Sequence, residues 1–332
     1  MEQTHQGRRH PRRVAPAMRL TIALIIAFTA VAANAQNFPN KPIRIVAGGV
    51  GGGSDFTARM IAQGFTAAWG QQVVVDNRPS GFVPGEIVMR AQPDGYTLLV
   101  SGSSLWISRL LQDNVPFDAE RDFAAVTLAA TSPSVLTVHP AVAAKSVREL
   151  MALAKMKPGE LNYGTSGQGS APHLAAELFK AMAGVSIVRV NYKGAGAALN
   201  DLIAGQVQMT FGTTSSLAPH IKSGRLRALA VSGAQPSALL PELPTIAASG
   251  LPGYEAVSPA GVFAPAKTPA SIVARLNAEI VRALNATDAK QKLLGAGIEV
   301  VGTTPAELAA MIKADIAKWG KVIRDAGIRA DQ

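Results

Sequence analysis

Cysteine is absent from this chain of 332 residues. Its absence excludes disulfide bonds, thiol catalysis and lipid attachment through an N-terminal cysteine. A chain without disulfides needs a sizeable hydrophobic core of its own. Apolar residues make up 48% of the sequence, and the length that follows Ala35 is sufficient for two lobes.

Long apolar runs are absent after residue 32, and the single run before that point is short. Five arginines precede it, the run covers residues 20–32, and residues 33–35 read Ala-Asn-Ala. These are the three parts of a secretory signal peptide, which we assign to residues 1–35. The run falls short of the roughly 20 residues of a membrane-spanning helix, so a permanent anchor is the weaker alternative. We expect export to the periplasm, a mature chain starting at Gln36, and translation from either Met1 or Met18.

Clustered charge is also missing beyond this leader. Five of the 32 basic residues and one of the 22 acidic residues lie before Gln36, so the formal charge falls from +10 to +6 for the remainder. The remaining charges are scattered and lack the basic stripe with aromatic platforms that nucleic-acid binding requires. We expect no nucleic-acid partner, and a mildly positive surface suits an anionic ligand.

Catalytic motifs are scarce. Only His139, His173 and His220 follow the leader, and there is no G-x-S-x-G elbow, no H-E-x-x-H motif and no P-loop lysine. One glycine-rich segment fits G-x-G-x-x-G loosely, with Asp76 at about the right distance, but nicotinamide cofactors are not expected outside the cytoplasm. We therefore expect no enzyme activity, no cofactor and no metal site.

Strand-like and helix-like segments alternate from residue 41 onward, which predicts an α/β fold with mostly parallel sheets flanked by helices. Thr268-Pro269 and Thr304-Pro305 predict two late helix starts with Thr at the N-cap. Chain crossings are expected near residues 135–139 and 260–265. We predict a discontinuous first lobe at residues 36–135 and 261–332 and a second lobe at residues 136–260. Strands are predicted at residues 42–47, 72–75, 96–100, 161–164, 187–191, 207–211 and 226–231, and helices include residues 171–182 and 197–203.

Segments rich in glycine, serine and threonine follow four of these strands and precede helices. In an open α/β sheet, ligands bind outside the carboxyl ends of the strands, where helix N-termini present free N–H groups and a partial positive charge. Ordinary strand-to-helix turns use the same residue types, so each segment alone keeps that interpretation open. Several in one chain favour an anion-binding cleft. The candidate ligand-binding residues are Gly51, Gly52, Gly53, Ser54, Asp55, Ser101, Ser103, Ser104, Thr165, Ser166, Gly167, Gly169, Ser170, Thr213 and Thr214, with His173 one helical turn beyond Ser170.

Some of these residues, and the tryptophans, keep two interpretations. Asp55 either caps its own helix, which we favour, or orients the glycine loop. His173 either hydrogen-bonds the second glycine loop or contacts the ligand. Trp69 and Trp319 lie on apolar stripes and indicate core positions, whereas Trp106 follows a serine segment and is a candidate for the cleft wall.

The chain from about Phe38 to Asp331 resembles the Bug family, the substrate-binding proteins of tripartite tricarboxylate transporters. Many matching stretches occur in series, so the resemblance is specific. They are KPIRIV at residues 41–46, GGGSD at 51–55, VVVDNRP at 73–79, PDGYTLL at 93–99, LNY at 161–163, G-x-GS at 167–170, HL at 173–174, YKG at 192–194, LRALAV at 226–231, LPGYE at 251–255 and FAP at 263–265.

The resemblance implies a two-lobed type II periplasmic binding protein, or Venus flytrap, that passes a small carboxylate to a membrane permease. It implies that the ligand lies between the first glycine loop and second-lobe loops that contain Tyr192, Lys193 and Gly194. Two departures touch this cleft: many relatives have Pro-Phe where this chain has Gly48-Gly49, and Asp where it has Gly212. The identity of a relative's ligand is therefore not transferred.

We expect a monomeric periplasmic solute-binding protein that captures a small organic acid for a tripartite tricarboxylate-type transporter. The alternative is a periplasmic sensor that presents the same kind of ligand to a signalling receptor, and a hydrolase is the least supported class. The glycine loops contain no Arg or Lys, so backbone N–H groups and hydroxyls are expected to hold the carboxylate. A plain carboxylate is expected over an amino acid because Gly212 supplies no charge for an ammonium, although Asp55 offers one.

Overall fold

The computed structural model describes residues 38–50, 52–78, 82–165, 170–192, 194–325 and 328. Contacts group Lys41–Gln332 into one compact unit, and the fold below is that of this unit. In the described ranges, no helix combines the length and the apolar character needed to span a bilayer.

Ten strands and ten helices alternate along the described chain, as the sequence predicts for an α/β fold. The strands are β1 Ile43–Ala47, β2 Val73–Asn77, β3 Thr97–Ser101, β4 Phe123–Val138, β5 Asn162–Thr165, β6 Val188–Asn191, β7 Met209–Thr213, β8 Arg227–Val231, β9 Val257–Pro265 and β10 Glu299–Val300. The helices are α1 Gly53–Trp69, α2 Val83–Met89, α3 Ser104–Leu111, α4 Val147–Met156, α5 Ala171–Ala183, α6 Ala195–Ile203, α7 Thr214–Lys222, α8 Ala270–Asn285, α9 Thr287–Gly295 and α10 Pro305–Asp325.

The first part of the sheet has the strand order β2-β1-β3-β9-β4. Strand β1 pairs in parallel with β2 and β3, so the ends of β1 and β3 lie on one edge of the sheet. Strands β9 and β10 are antiparallel to their neighbours, and β9 joins β3 to β4. The parallel strands place the loops that follow Ala47 and Ser101 side by side.

Strand β4 connects this part of the sheet to a second part. It pairs with β9 as far as Pro133 and with β7 from Ser134 onward. The second part contains β5, which is parallel to β6 and β7, and β8, which is antiparallel to β4. The alternation of strands and helices did not reveal that β4 and β9 are long and antiparallel, because periodicity carries no information on pairing partners.

Helices cover the sheet through apolar stripes. The fully buried residues of these stripes include Ile61, Phe65, Leu276, Ile280 and Leu308. They exclude water from the sheet, which is the main stabilising contribution of such a core.

Two of the three tryptophans differ in burial from the prediction. Trp319 is in the core, but Trp69 is only half-buried and lies against Phe65, with ring centroids 4.3 Å apart. Trp106 is 3% exposed, and its indole Nε1 donates to Asp315 at 2.8 Å. Its interpretation as a cleft wall was wrong, since the apolar face of α3 turns it toward α10.

Capping residues explain where the late helices begin. Thr304 N donates to Glu307 Oε2 at 2.8 Å, and Glu307 N donates to Thr304 Oγ1 at 3.3 Å, which is a reciprocal capping box at the start of α10. Thr304 Oγ1 also donates to Glu307 Oε2 at 2.8 Å, and the two hydrogen bonds that Thr304 donates lower the pKa of Glu307 below its usual value. Helix α8 starts one residue later than predicted, at Ala270, with Pro269 rather than Thr268 at its N-cap.

Candidate functional site

A cleft of about 290 Å³ lies where the glycine and serine segments meet the long strands. Three helix starts and two strands surround it. Its lining residues are Gly53, Ser54 and Thr57 from α1, Gly102, Ser103 and Ser104 before and in α3, Ser132 from β4, Ser170 and Ala171 at α5, and Ser258, Pro259 and Ala260 from β9.

The helix starts give this cleft its chemistry. Helices α1, α3 and α5 have 17, 8 and 13 residues, and each begins directly after a loop that leaves a strand. The first N–H groups of a helix have no partner within it and carry a partial positive charge. Three such starts directed at one cleft can bind an anion without a charged side chain.

Hydroxyl groups dominate the rest of the lining. Seven of the twelve lining residues are serine or threonine, and none of the twelve is ionisable. Each hydroxyl can both donate and accept a hydrogen bond, so the cleft suits a polar ligand with several oxygen atoms.

Two other cavities of about 320 Å³ lie elsewhere on the molecule. One is next to Arg109 and Arg324, and the other lies between Phe123, Phe263 and α10. Neither collects several helix starts at the carboxyl ends of strands, so the serine-lined cleft is the better candidate.

Asp55 lies in α1 beside the cleft, but its carboxylate already accepts hydrogen bonds from other residues of the protein. Asp55 is 3% exposed, and its carboxylate accepts from Asn77 Nδ2 and from Arg59 Nε, each at 2.9 Å. Asn77 Nδ2 also donates to the carbonyl of Gly48 at 2.8 Å, so this group fixes the base of the glycine loop. The N-cap of α1 is Gly52 and not Asp55. Of the two roles considered for Asp55, the structure therefore agrees with orienting the glycine loop rather than with capping, which we favoured.

A second arginine group lies on the neighbouring edge strand. Asp76 accepts hydrogen bonds from Arg44 and Arg78. Burial raises the pKa of Asp76, but the two arginines outweigh it and hold the pKa below its usual value. Two guanidinium groups share one carboxylate, so this group keeps one net positive charge.

His173 is 2% exposed and belongs to a buried polar network behind Ser170. Its Nε2 lies 3.3 Å from Arg189 Nη1 and 3.9 Å from Glu177 Oε1. Glu177 also accepts from the Tyr163 hydroxyl at 2.6 Å. Burial and this hydrogen bond raise the pKa of Tyr163 well above its usual value. The network fixes the start of α5, and His173 is not among the residues that line the cleft.

Several predicted residues surround a smaller cavity of about 120 Å³ at the ends of β5 and β7. Thr165 and Thr213 line it, and Thr165 Oγ1 lies 3.0 Å from Ser170 Oγ. The Thr214 hydroxyl is buried and has no hydrogen-bond partner in the described part of the chain.

The other predicted residues occupy the margins. Tyr192 donates its hydroxyl to Asp201 at 2.8 Å, and burial together with this bond raises its pKa to about 12. Gly52 and Gly194 are the N-caps of α1 and α6, and Ser101 ends β3 opposite Gly261. Outside the described residues lie Gly51, Ser166, Gly167, Gly169 and Lys193.

Sequence reasoning missed the lining that comes from the strands and from within α1. Ser132 and Ser258 are register partners on β4 and β9, so they reach the cleft together. Only knowledge of that register could have identified them. Thr57 had a local signal, because it follows Gly53 by four residues and shares its helix face.

The two sites at which this chain departs from the family pattern differ in the space around their glycines. A Cβ on Gly212 would lie 2.7 Å from Leu217 Cδ1, and Leu217 is 1% exposed. A side chain at this position would displace the buried Leu217 side chain, so the packing of α7 on β7 favours glycine here. A Cβ on Gly48 or Gly49 would meet no atom within 4 Å, so these glycines leave open space beside the loop.

In the described ranges, no group of three His, Cys, Asp or Glu residues is arranged to hold a metal ion.

Sequence comparison identifies relatives along nearly the whole chain. A sequence model of the family described as "Tripartite tricarboxylate transporter family receptor" matches residues 57–328. A protein of the tcbD-tcbE intergenic region of Pseudomonas sp. strain P51 is 39% identical over 321 residues, 95% of this chain and 96% of that one. Protein BugT of Bordetella pertussis is 33% identical over 315 residues, 93% of this chain and 97% of that one.

Solved structures with a similar fold indicate the same kind of protein as the sequence relatives do. An R. palustris protein with adipate has 36% identity and a TM-score of 0.74, covering 89% of this chain and all of that one. The periplasmic binding protein BugD has 27% identity and a TM-score of 0.71 with the same coverage. MatC from Rhodopseudomonas palustris, with bound malate, has 27% identity and a TM-score of 0.70, covering 86% of this chain and all of that one.

The two parts of the sheet correspond to the two-lobed fold of these binding proteins, as the sequence predicted. The coverage of both chains is nearly complete, and the family model spans most of the sequence. This chain belongs to the tripartite tricarboxylate transporter receptor family, the Bug family of periplasmic solute-binding proteins.

Proposed function

We propose that this protein captures a small carboxylate in the serine-lined cleft and delivers it to a tripartite tricarboxylate-type transporter. The observation that carries the proposal is the lining: three helix starts and seven hydroxyl residues, with no ionisable residue among the twelve. The adipate and malate bound by two structural relatives support this ligand class.

The carboxylate is held by backbone N–H groups at Gly53 and Ser54 of α1 and at the start of α5, with Ser103, Ser104 and Ser170 adding hydroxyls. Each charge-assisted hydrogen bond of this kind contributes about 1.5–3 kcal/mol. Donors fixed at helix starts lose little conformational entropy when the ligand binds. Under this proposal the first lobe comprises residues 36–135 and 261–332 and the second residues 136–260, and closing them buries the ligand.

The protein works as a monomer. It binds its ligand and does not convert it chemically. The cleft lining has no nucleophile–base pair, since it contains neither histidine nor a carboxylate. The expected product of incubation with any bound carboxylate is therefore the unchanged carboxylate.

A plain dicarboxylate should bind in preference to the corresponding amino acid. An ammonium group requires an anionic partner, and Asp55 already accepts from Asn77 and Arg59. In a thermal-shift assay at 100 times its dissociation constant, a preferred dicarboxylate such as succinate stabilises the protein by about 2.7 kcal/mol, which corresponds to roughly 5–10 °C. Aspartate at the same concentration should shift the midpoint by less than about 1 °C. A larger shift with aspartate than with succinate would overturn this preference.

Export and transport are tested together by complementation of a strain that lacks the gene. The full chain should restore uptake of the carboxylate selected by the thermal-shift panel, and the periplasmic protein should begin at Gln36. A version that starts at Gln36 and lacks residues 1–35 should remain in the cytoplasm and fail to restore uptake. Normal uptake in the deletion strain, together with loss of a transcriptional response to the ligand, would instead favour the sensor alternative.

A further inference from the structure

Two serines of the cleft lie on strands rather than on loops. Ser132 of β4 and Ser258 of β9 are register partners, and both line the cleft. Directly opposed residues of antiparallel strands point to the same face of the sheet, with their Cβ atoms about 4.5–5.5 Å apart. Both serines are partly exposed. A ligand in the cleft can therefore reach the two hydroxyls of this serine pair at once.

The protein itself does not use these two hydroxyls. Neither Ser132 Oγ nor Ser258 Oγ has a hydrogen-bond partner in the part of the chain that the structure describes. Ser232, which is fully buried beside the same strands, differs from them. Its Oγ donates to the carbonyl of Ala256 at 2.6 Å and accepts from Ser134 N at 2.8 Å. Ser232 thus stabilises the fold, whereas the serine pair offers two free hydroxyls to the cleft.

Two helix starts lie against the serine pair. A Cβ on Gly53 would lie 3.8 Å from Ser132 Oγ, so this hydroxyl is next to the first residue of α1. A Cβ on Gly102 would lie 3.0 Å from the carbonyl oxygen of Pro259, so the loop that leads into α3 packs on β9 next to Ser258. The free N–H groups in the first turn of α1 and the hydroxyl of Ser132 therefore reach the same part of the cleft.

We propose that Ser132 and Ser258 position one carboxylate of the ligand, each hydroxyl donating to one of its two oxygens. The first N–H groups of α1 donate to the same carboxylate, since each of its oxygens accepts more than one hydrogen bond. Hydrogen bonds to an ionised acceptor are stronger than those between neutral groups. The inference rests on the proposed function, because it assumes a carboxylate in this cleft.

The serine pair also lies where β4 passes from the first part of the sheet to the second. Strand β4 pairs with β9 as far as Pro133 and with β7 from Ser134 onward. A carboxylate that binds both the serine pair and α1 therefore contacts the strands that connect the two parts of the sheet, in addition to the loops at the strand ends.

Alanine substitutions test the serine pair. Ser132→Ala, Ser258→Ala and the double variant are compared with the wild type by calorimetry, with a series of dicarboxylates from malonate to adipate. For an acid that binds the wild type, each single substitution should lower the affinity about 10-fold and the double variant about 100-fold. Thr131→Val is the matched control, because Thr131 is the neighbour of Ser132 in β4 but lines a different cavity. Its affinity should stay within about 2-fold of the wild-type value.

A charged substitution tests the position of the carboxylate. Ser132→Asp places a fixed carboxylate beside the start of α1, where a negative charge is favourable and where it competes with that of the ligand. The affinity should fall by at least about 100-fold. Ser132→Asn has nearly the same size and no charge, and its loss should stay below about 10-fold. Equal losses in the two variants would assign the effect to size and contradict the inference.

The ligand-free proteins provide the control for folding. The hydroxyls have no partner within the described protein, so the alanine variants should melt within about 2 °C of the wild type. A fall of several degrees would assign them a structural role and overturn the inference. Wild-type affinity in both alanine variants would also overturn it and would leave carboxylate binding intact. If no dicarboxylate of the series binds the wild type, the proposed function fails and the inference fails with it.

Discussion

Replacement of Gly53 by phenylalanine is expected to weaken carboxylate binding by at least about 100-fold, which corresponds to about 2.7 kcal/mol. Gly53 is the first residue of α1 and lines the cleft. A Cβ at this position would lie 3.8 Å from Ser132 Oγ and 4.0 Å from Ile298 Cδ1, so a methyl group fits but a ring must extend into the cleft. There the ring occupies the ligand's volume and covers the N–H groups at the helix start. Calorimetry with the acid selected by the thermal-shift panel measures the loss.

Gly53→Ala is the matched control. Its Cβ makes only ordinary van der Waals contacts, so the protein should fold normally and its affinity should stay within about 3-fold of the wild-type value. Wild-type affinity in a folded Gly53→Phe protein would show that the ligand binds elsewhere.

Local patterns predicted most of the secondary structure and the segments at the strand ends. Apolar runs bounded by glycine and hydroxyl residues located β1, β3, β5 and β7 to within about two residues. The loops that follow β1 and β3 reach one cleft because these parallel strands end on the same edge of the sheet, and Ser54 and Ser103 line the cleft for this reason. Ser170 follows β5 and reaches the cleft from the second part of the sheet.

The pairing of strands that are distant in sequence places some of the cleft residues, and the sequence does not reveal that pairing. Ser132 and Ser258 face the cleft because β4 and β9 pair antiparallel in a particular register, which contains two irregularities. Residue type also does not show whether a side chain binds a ligand or another residue of the protein. His173 and Tyr192 have suitable chemistry for a ligand, but Arg189 and Asp201, respectively, are their partners within the protein.

Gly64→Ala is expected to destabilise the protein by about 2 kcal/mol, although alanine is the better helix former. Gly64 lies in the middle of α1, where this helix crosses α8. A Cβ at Gly64 would lie 2.2 Å from the Cβ of Ala283 and 3.4 Å from its Cα. The neighbour is a short side chain on a rigid helix and cannot rotate away, so the two helices must separate and expose part of their shared core. The melting temperature should fall by roughly 4–8 °C.

Gly295→Ala provides the comparison, because Gly295 is also helical but a Cβ there would meet no atom within 4 Å. Without a steric conflict, only the change in helix propensity remains, which favours alanine by up to about 1 kcal/mol. Its melting temperature should therefore be equal to or slightly above that of the wild type. If Gly64→Ala and Gly295→Ala melt at the same temperature, the close approach of α1 and α8 does not limit the stability of the fold.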